Sequence, residues 1–307
     1  MEAERYRRMC RVVDQVSPHG RRDRQQFADR VIVKVYLYAT LRDRPVRYAC
    51  DPANWDAALR HELVGAALPS QPTMSRRLRT VGVLQAVERA LRLLGEDGGA
   101  DAALVKAIDS KPLRVGAYSK DADALRGRAA GEQGRGYKLH TCRARGRFVG
   151  RMLITPLNTN DQVAAVALIP HLAGGGGYLP ADNGYDANAV HEAAAAHGHQ
   201  LVAPPRASNV GVYDARRNAP QRLRSLEMLD PALHPADRGG GGGGGESFGQ
   251  GLMRQRRSIE RGFGHAAHQG LFAPPPWVRR PHRVAVWAAA KLIQTMVRQR
   301  EIEGLTA

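Results

Sequence analysis

Apolar residues recur at helical spacing through the first hundred positions, and then the rhythm changes. Phe27, Val31 and Val35, and later Val81, Leu84, Val87 and Leu91, fall three or four apart, the interval that lines one face of an α-helix. Residues 23–94 are therefore expected to be helical throughout. Within them, 56–66 and 70–80 read as two short helices joined by a Leu-Pro turn. Ser70 serves as N-cap and Pro72 sits in the first turn, where its missing amide leaves nothing unpaired. On the second helix Met74, Leu78 and Val81 should face the core, leaving Gln71, Thr73, Arg76, Arg77 and Arg79 outside. The pair has the form of a helix-turn-helix, and its outer set suits bases and phosphates.

Glycines and acids at 95–101 mark a boundary, beyond which short apolar runs alternate with turns and helices. Runs at 104–109, 137–143 and 148–155 are expected strands. A basic, helix-poor loop separates the first two, and Arg145-Gly146-Arg147 makes a hairpin between the last two. Residues 161–172 then read as a helix capped by Asn160 or Asp161, 178–182 as a strand, 187–197 as an alanine-rich helix, 200–204 as a strand, and 254 onward as helix. The tail at 282–300 carries Val286, Ala290, Ile293 and Val297 at helical intervals and is expected to close the domain as an amphipathic helix. About 206–250 lies a flexible Gly-rich loop or insertion. Its seven successive glycines, Gly239 to Gly245, lose too much backbone freedom on ordering to hold a regular element. Two domains are expected: a helical one over 1–100 and an α/β one over 101–307.

Charge adds a partner to this outline. Lysine and arginine total 46 against 29 acids, a net charge of +17 and a pI near 10.6. That excess attracts a polyanion, nucleic acid first, although charge alone does not separate DNA from RNA or from an anionic membrane surface. Only six of the basic residues are lysine, so part of the excess also belongs to an arginine-, alanine- and glycine-rich composition. Cys10, Cys50 and Cys142 are odd in number and far apart, which argues against a disulfide framework or a zinc site and fits a reducing cytoplasm. The first fifteen residues are charged throughout, and no stretch approaches the ~18 apolar residues needed to span a bilayer, so neither secretion nor membrane insertion is expected. The glycine clusters lack a Lys-Ser/Thr ending, so they make no phosphate-binding P-loop.

The order three strands, helix, strand, helix, strand, helix is that of a ribonuclease H-like fold. It sets acids at three positions: Asp109 ends the first strand, Asp182 ends the fourth, and Glu260 lies on the late helix. Strand ends of such sheets gather ligands, so two aspartates there and a glutamate from a covering helix can converge. Oxygen donors of this kind suit a pair of Mg²⁺ or Mn²⁺ ions serving an in-line displacement at phosphorus. Asp186 is a rival to Asp182 for the metal, but its position is that of a cap on the next helix. Lys138 and His140 share a strand face and, beside Asp109, could touch a scissile phosphate or orient a metal ligand. The pair His197 and His199 has no third ligand near it.

Several words around these acids resemble the DDE transposases of bacterial insertion sequences. They are Ala107-Ile-Asp-Ser-Lys-Pro-Leu, Gly136-Tyr-Lys-Leu-His140, Thr155-Pro-Leu-Asn-Thr-Asn-Asp161, Leu179-Pro-Ala-Asp-Asn-Gly-Tyr-Asp186 and Arg256-Arg-Ser-Ile-Glu-Arg-Gly-Phe-Gly264. Upstream, Phe27-Ala-Asp-Arg-Val-Ile, Asn54-Trp55 and residues 68–78 are similar to the helical N-terminal domain of such enzymes. The resemblance implies a metal-dependent polynucleotidyl transferase and endonuclease that cleaves and transfers DNA strands at the ends of an insertion sequence. It assigns the metal to Asp109, Asp182 and Glu260; beside these, the outer helix face with Gln71, Thr73, Arg76, Arg77 and Arg79, the strand pair Lys138 and His140, and Arg256 are the expected contacts to DNA. It also implies two Mg²⁺ or Mn²⁺ ions, double-stranded DNA partners (terminal inverted repeats and target), a homodimer joining two DNA ends, and a cytoplasmic bacterial location, on the nucleoid when bound. The family's Tyr, Arg, Glu, Lys signature on the late helix falls on Met253, Arg256, Glu260 and Ala267, so only its central pair is kept. Two rival readings share the residues: a ribonuclease H-like nuclease that does not join strands, and a non-catalytic DNA-binding protein derived from a transposase.

Overall fold

In the computed structural model, which describes residues 2–17, 25–129, 131–172, 174–206, 213–230 and 246–306, helices come first. They are α1 (Glu2–Val16), α2 (Asp29–Leu41), α3 (Val46–Ala49), α4 (Ala57–Leu63), α5 (Gln71–Arg77) and α6 (Val81–Asp97). The two short ones start where the sequence places their caps, with Asp56 accepting from the Leu59 amide at 2.8 Å and Ser70 from the Thr73 amide at 3.4 Å. An aromatic stack fixes the segment before α4. Trp55 lies parallel to Tyr38 with ring centroids 3.6 Å apart, Tyr6 meets both edge-on, and the Trp55 indole donates to the Ala49 carbonyl at 3.0 Å.

One expected face of α5 needs correction. Met74 is buried as foreseen, but Val81 is 65% exposed and Arg77 is inside. The cause is local: α5 stops at Arg77 and Thr80 begins a new helix, so the spacing from Met74 to Val81 spans a break. Arg77 donates to the Phe27 carbonyl (2.8 Å), Gln25 (3.1 Å) and Asp29 (2.6 Å), which makes it the anchor of α5 and removes it from the outer set. Gln71, Arg76 and Arg79 remain exposed, and Thr73 is half-buried.

The strands that follow are β1 (Ala107–Arg114), β2 (Leu125–Ala129), β3 (Glu132–Ala144) and β4 (Arg147–Pro156), all antiparallel, with β3 pairing each of the others. The expected basic loop thus holds strand as well, because β1 runs on to Arg114 and β2 forms a hairpin with the start of β3. After α7 (Asp161–Leu168) come β5 (Gly177–Pro180), α8 (Asn188–Ala196) and β6 (His199–Val202), with β5 and β6 parallel. Residues ahead of β1 bridge the two sheets: Val105 pairs in parallel with Tyr178. The spatial order is therefore β4, β3, β1, β5, β6. Gly177 makes the bridge possible, since at φ +124° a Cβ there would lie 2.1 Å from the Leu104 carbonyl oxygen.

Helix α9 (Pro220–Leu229) occupies part of the span read as loop or insertion over 206–250; the seven-glycine run lies outside the described residues. Helix α10 (Phe248–Ala267) starts earlier than expected, on a capping box between Ser247 and Gln250. The last helix, α11 (Pro281–Thr306), differs from the amphipathic expectation, for every residue from Val286 to Val297 is buried. It is enclosed because α1, α2 and α6 pack on it from one side and β4 and α10 from the other. One continuous apolar cluster accordingly runs from Tyr6 and Val33 through Leu91, Leu139 and Phe263 to Ile293, while a second, around Ile108, Leu168, Leu179 and Val190, fills the opposite face of the sheet. Close approach of α6 to β4 depends on Gly150, where a Cβ would fall 2.3 Å from the Arg92 Cα.

Gly177→Ala is predicted to cost at least about 2 kcal/mol, from positive φ and backbone overlap together. A urea melt showing wild-type stability would contradict the importance given to this bridge.

Candidate active site

Strand alternation decides which way each β1 side chain points. Ala107 and Leu113 enter the cluster shared with α10 and α11, Ile108 enters the other, and Asp109 is on the first of these faces, with Lys111 5.6 Å from the Phe263 ring of α10. Following the parallel register from the Val105–Tyr178 bridge four residues along brings Asp109 level with Asp182. Asp182 comes just after β5, where the Ala181 amide still donates to Val202, and its carboxylate accepts from the Gly184 amide at 2.8 Å. From α10, Arg256 reaches into the same place. Its guanidinium lies 3.9 Å from Asp182 and donates to Glu260, one turn further along, at 2.8 Å. Asp182 and Glu260, remote in sequence, thereby share one arginine, whose charge also reaches Asp109.

The carboxylates differ in state. Asp109 is buried, and burial pushes its pKa up to about 6; the Ser110 amide and Arg256 pull it down, and the charge of Asp182 adds to the rise. Among the described residues its one hydrogen-bond donor is the Ser110 amide, at 2.8 Å to a single oxygen. Asp182 and Glu260 keep 44% and 51% of their side-chain surface. Among the described residues, no group of three or more His, Cys, Asp or Glu side chains is drawn together closely enough to hold a metal ion.

Asp186 is not the cap it was expected to be; Ala187 starts α8 without a side-chain cap. Its two oxygens instead receive Arg222 of α9 at 2.7 Å each, and His191 stands 3.4 Å away. Burial would raise its pKa, but hydrogen bonds from His191 and Arg222 outweigh this and hold it down at about 2. A carboxylate so occupied is tied to the α8–α9 packing and leaves Asp182 as the acid facing α10.

Lys138 and His140 also fall elsewhere than beside Asp109. They pair across from Pro112 and Ser110, whereas Asp109 pairs with Thr141, so they point to the other face of the sheet. There Lys138 donates to Asp161 at 3.1 Å and to the Thr159 carbonyl at 2.9 Å, and the Ser110 hydroxyl donates to Asp161 at 2.8 Å. Asn160, not Asp161, caps α7, which frees Asp161 for these contacts. His140 is buried with Nε2 2.9 Å from the Thr155 hydroxyl; burial lowers its pKa to about 4, with Asp161 opposing and Lys138 assisting. The ring is therefore neutral near pH 7. His199 is buried too, at the start of β6, so the histidine pair at 197 and 199 is divided between surface and interior.

A family model described as a transposase DDE domain matches residues 102–272. The chain belongs to this family. No curated protein and no solved structure matches it. The matched span opens just before β1 and ends beyond α10, so it takes in all six strands, Asp109, Asp182, Glu260 and Arg256.

In this transposase the two unmatched signature positions have other surroundings. Met253 is half-buried against Val202, Met228 and Leu252, and Ala267 is exposed at the end of α10. Residues that sequence reasoning missed include Tyr185, whose hydroxyl is buried; burial first, then the charges of Asp109, Asp161 and Asp182, raise its pKa well above the usual phenol range. The quoted Asp-Asn-Gly-Tyr word held that tyrosine but gave no sign that a 3₁₀ turn would fold it inward. Arg222 had no signal at all, lying in a span read as loop.

Two stability predictions follow from these charges. Asp186 has a folded pKa below its unfolded ~3.9, so its contribution is present above pH ~4 and is lost as pH falls toward about 2. Asp186→Asn should cost about 2–3 kcal/mol at pH 7, with most of the gap to wild type closing over that acid window; a gap undiminished at pH 2 in denaturant melts would contradict it. Asp109 has the opposite sign. Its raised pKa makes folding less favourable as pH climbs from ~4 through about 6, so Asp109→Asn should melt higher than wild type at pH 8 in metal-free buffer and level with it at pH 4.

Proposed function

We propose that this transposase is a metal-dependent polynucleotidyl transferase whose ligands are Asp109, Asp182 and Glu260, and that its catalytic core is ribonuclease H-like. The observation that carries the reading is that Asp182 and Glu260 share Arg256, whose charge also reaches Asp109, a buried carboxylate with one amide donor among the described residues. Oxygen donors of this kind fit Mg²⁺ or Mn²⁺, which bind carboxylates and keep several waters. When bound, a pair of such ions supplies charge stabilisation to an in-line displacement at phosphorus. The strand order β4, β3, β1, β5, β6, with helices on both faces, supports the fold assignment.

The protein's own groups prepare that site. Asp109 is held by its pairing with Thr141 of β3, and the Val105–Tyr178 bridge four residues earlier sets the height of β1 against β5. Asp182 is turned by its bond from the Gly184 amide. Arg256 neutralises Asp182 and Glu260 in the free protein, and a phosphate of the DNA is the natural competitor for its guanidinium. Lys138, linked to Asp161 across the sheet, acts on the positioning of α7 rather than on the scissile phosphate.

Residues 1–100 form the end-recognition part in this proposal, and 101–307 the catalytic part. Gln71, Thr73 and Arg76 on α5 and Arg79 just beyond it meet double-stranded DNA at the terminal repeats, in the manner of a helix-turn-helix, and two copies of the chain join the two ends. Among the described residues no helix is long and apolar enough to cross a membrane.

Cleavage and joining of a labelled DNA carrying the element's ends, with Mg²⁺ or Mn²⁺, tests this directly. Asp109→Ala, Asp182→Ala and Glu260→Ala should each reduce both products at least 100-fold while binding persists. Cleavage without joining by the wild type would indicate a hydrolytic nuclease instead, and unimpaired mutants would remove these acids from the mechanism.

A further inference from the structure

Where α5 and α3 meet the segment leading into α11, the surface is hollowed twice. One hollow, of about 700 Å³, has Trp277 and Trp287 in its wall together with Arg44, Arg47, Arg79 and Arg283. The other, of about 590 Å³, is lined by Lys120, Arg279, Arg280 and His282, and again by Arg79 and Arg283. The shared arginines make the two hollows one groove, aromatic at one end and cationic at the other. Neither end belongs to the acid cluster.

The carboxylates in these walls are largely committed. Asp43 is paired with buried Lys291, and Asp121 accepts from the Tyr137 hydroxyl at 2.8 Å and the Arg280 amide at 2.9 Å. Asp123 is the remaining acid of the cationic hollow. His282 feels the excess: burial first, then Arg283, Arg79 and Arg280, lower its pKa, with Asp123 opposing. Cations brought together in this way stabilise an anion placed among them.

Of the two tryptophans, Trp287 is packed into the core and Trp277 is the one presented. Trp277 is 44% exposed and follows Pro274, Pro275 and Pro276, whose fixed φ angles hold it in place at small entropic cost. Tyr118, on the turn just before Lys120, is 99% exposed. A wall of this size matches the ~300–1,000 Å³ of sites that enclose one small planar molecule, and it is far too small for a base-paired duplex. Arginines alternating with open aromatic faces are the chemistry that receives unpaired nucleotides, bases on the rings and phosphates on the guanidinium groups.

We propose that this groove binds unpaired nucleotides of a DNA strand, with the base against Trp277 and the phosphates at Arg283 and Arg279. The proposal rests on the reading of α5 as a DNA-binding element and assigns the adjoining groove a distinct form of that partner. α5 takes the duplex on its outer face; the groove beside it takes single-stranded DNA.

Fluorescence anisotropy with the full-length protein separates the two. The probes are a blunt duplex and the same duplex carrying a short unpaired tail. The wild type should bind the tailed probe at least tenfold more tightly, with quenching of tryptophan emission. Trp277→Ala should abolish that preference and leave blunt-duplex affinity within twofold, Trp277→Phe should retain most of it, and Arg283→Ala should reduce it. Equal affinity of the wild type for the two probes, or an equal loss on both with Trp277→Ala, overturns the proposal. Failure of the wild type to bind the blunt duplex at low salt overturns the reading of α5 instead, whatever the tail does.

Discussion

Everything in the acid cluster depends on a short parallel contact between residues 104–106 and the start of β5. The Tyr178 amide donates to Leu104 at 2.6 Å and the Lys106 amide to Tyr178 at 2.9 Å, and these bonds fix the register that carries Asp109 and Asp182 to the same height. A parallel pair has no hairpin to set its alignment, so the alignment must come from side chains and backbone fit. Gly177 supplies the fit, and Leu179 and Ile108 pack in the same cluster beyond it. A slip of one residue would turn Asp109 to the face where Ser110 now meets Asp161.

Charge then distinguishes carboxylates that look alike in sequence. Asp186 receives a guanidinium on both oxygens and is held as an anion. Asp161 is satisfied by Lys138 and Ser110. Asp109 is buried with a single amide donor, and its pKa rises accordingly. The contrast is one of partners, since all three are withdrawn from water to some degree. Of the three, Asp109 is the one buried with no cation in hydrogen-bond reach among the described residues, and that is the state in which a carboxylate gains most from an incoming cation.

The sequence disclosed five of the six described strands and the Ser70 cap because each leaves a local mark. Ser70 and Asp56 cap where a capping residue precedes an apolar spacing, and the Arg145-Gly146-Arg147 turn makes its hairpin because Arg145 and Gly146 adopt positive φ, which the glycine takes without strain. What it withheld was set by distant packing. Arg77 reads as a surface arginine until α2 offers it Phe27 and Asp29. The face of Lys138 depends on which residues of β1 it pairs with, and the burial of α11 on all sides depends on helices more than 180 residues away. Arg222 became legible only once α9 had folded against α8.

That buried helix has a consequence for how the parts of the molecule work together. Val286 to Val297 contribute to one cluster with Tyr6, Val33 and Leu91 on the helical side and with Phe148 and Phe263 on the sheet side. Separating the N-terminal helices from the sheet would expose both sides of α11 at once, a loss of several buried apolar side chains at ~1.5–3 kcal/mol each. That shared helix couples the two sides: α5 joins the core through α2, and the sheet that carries Asp109 packs on the same α11, so the proposed duplex contacts and the proposed metal ligands belong to one packed unit.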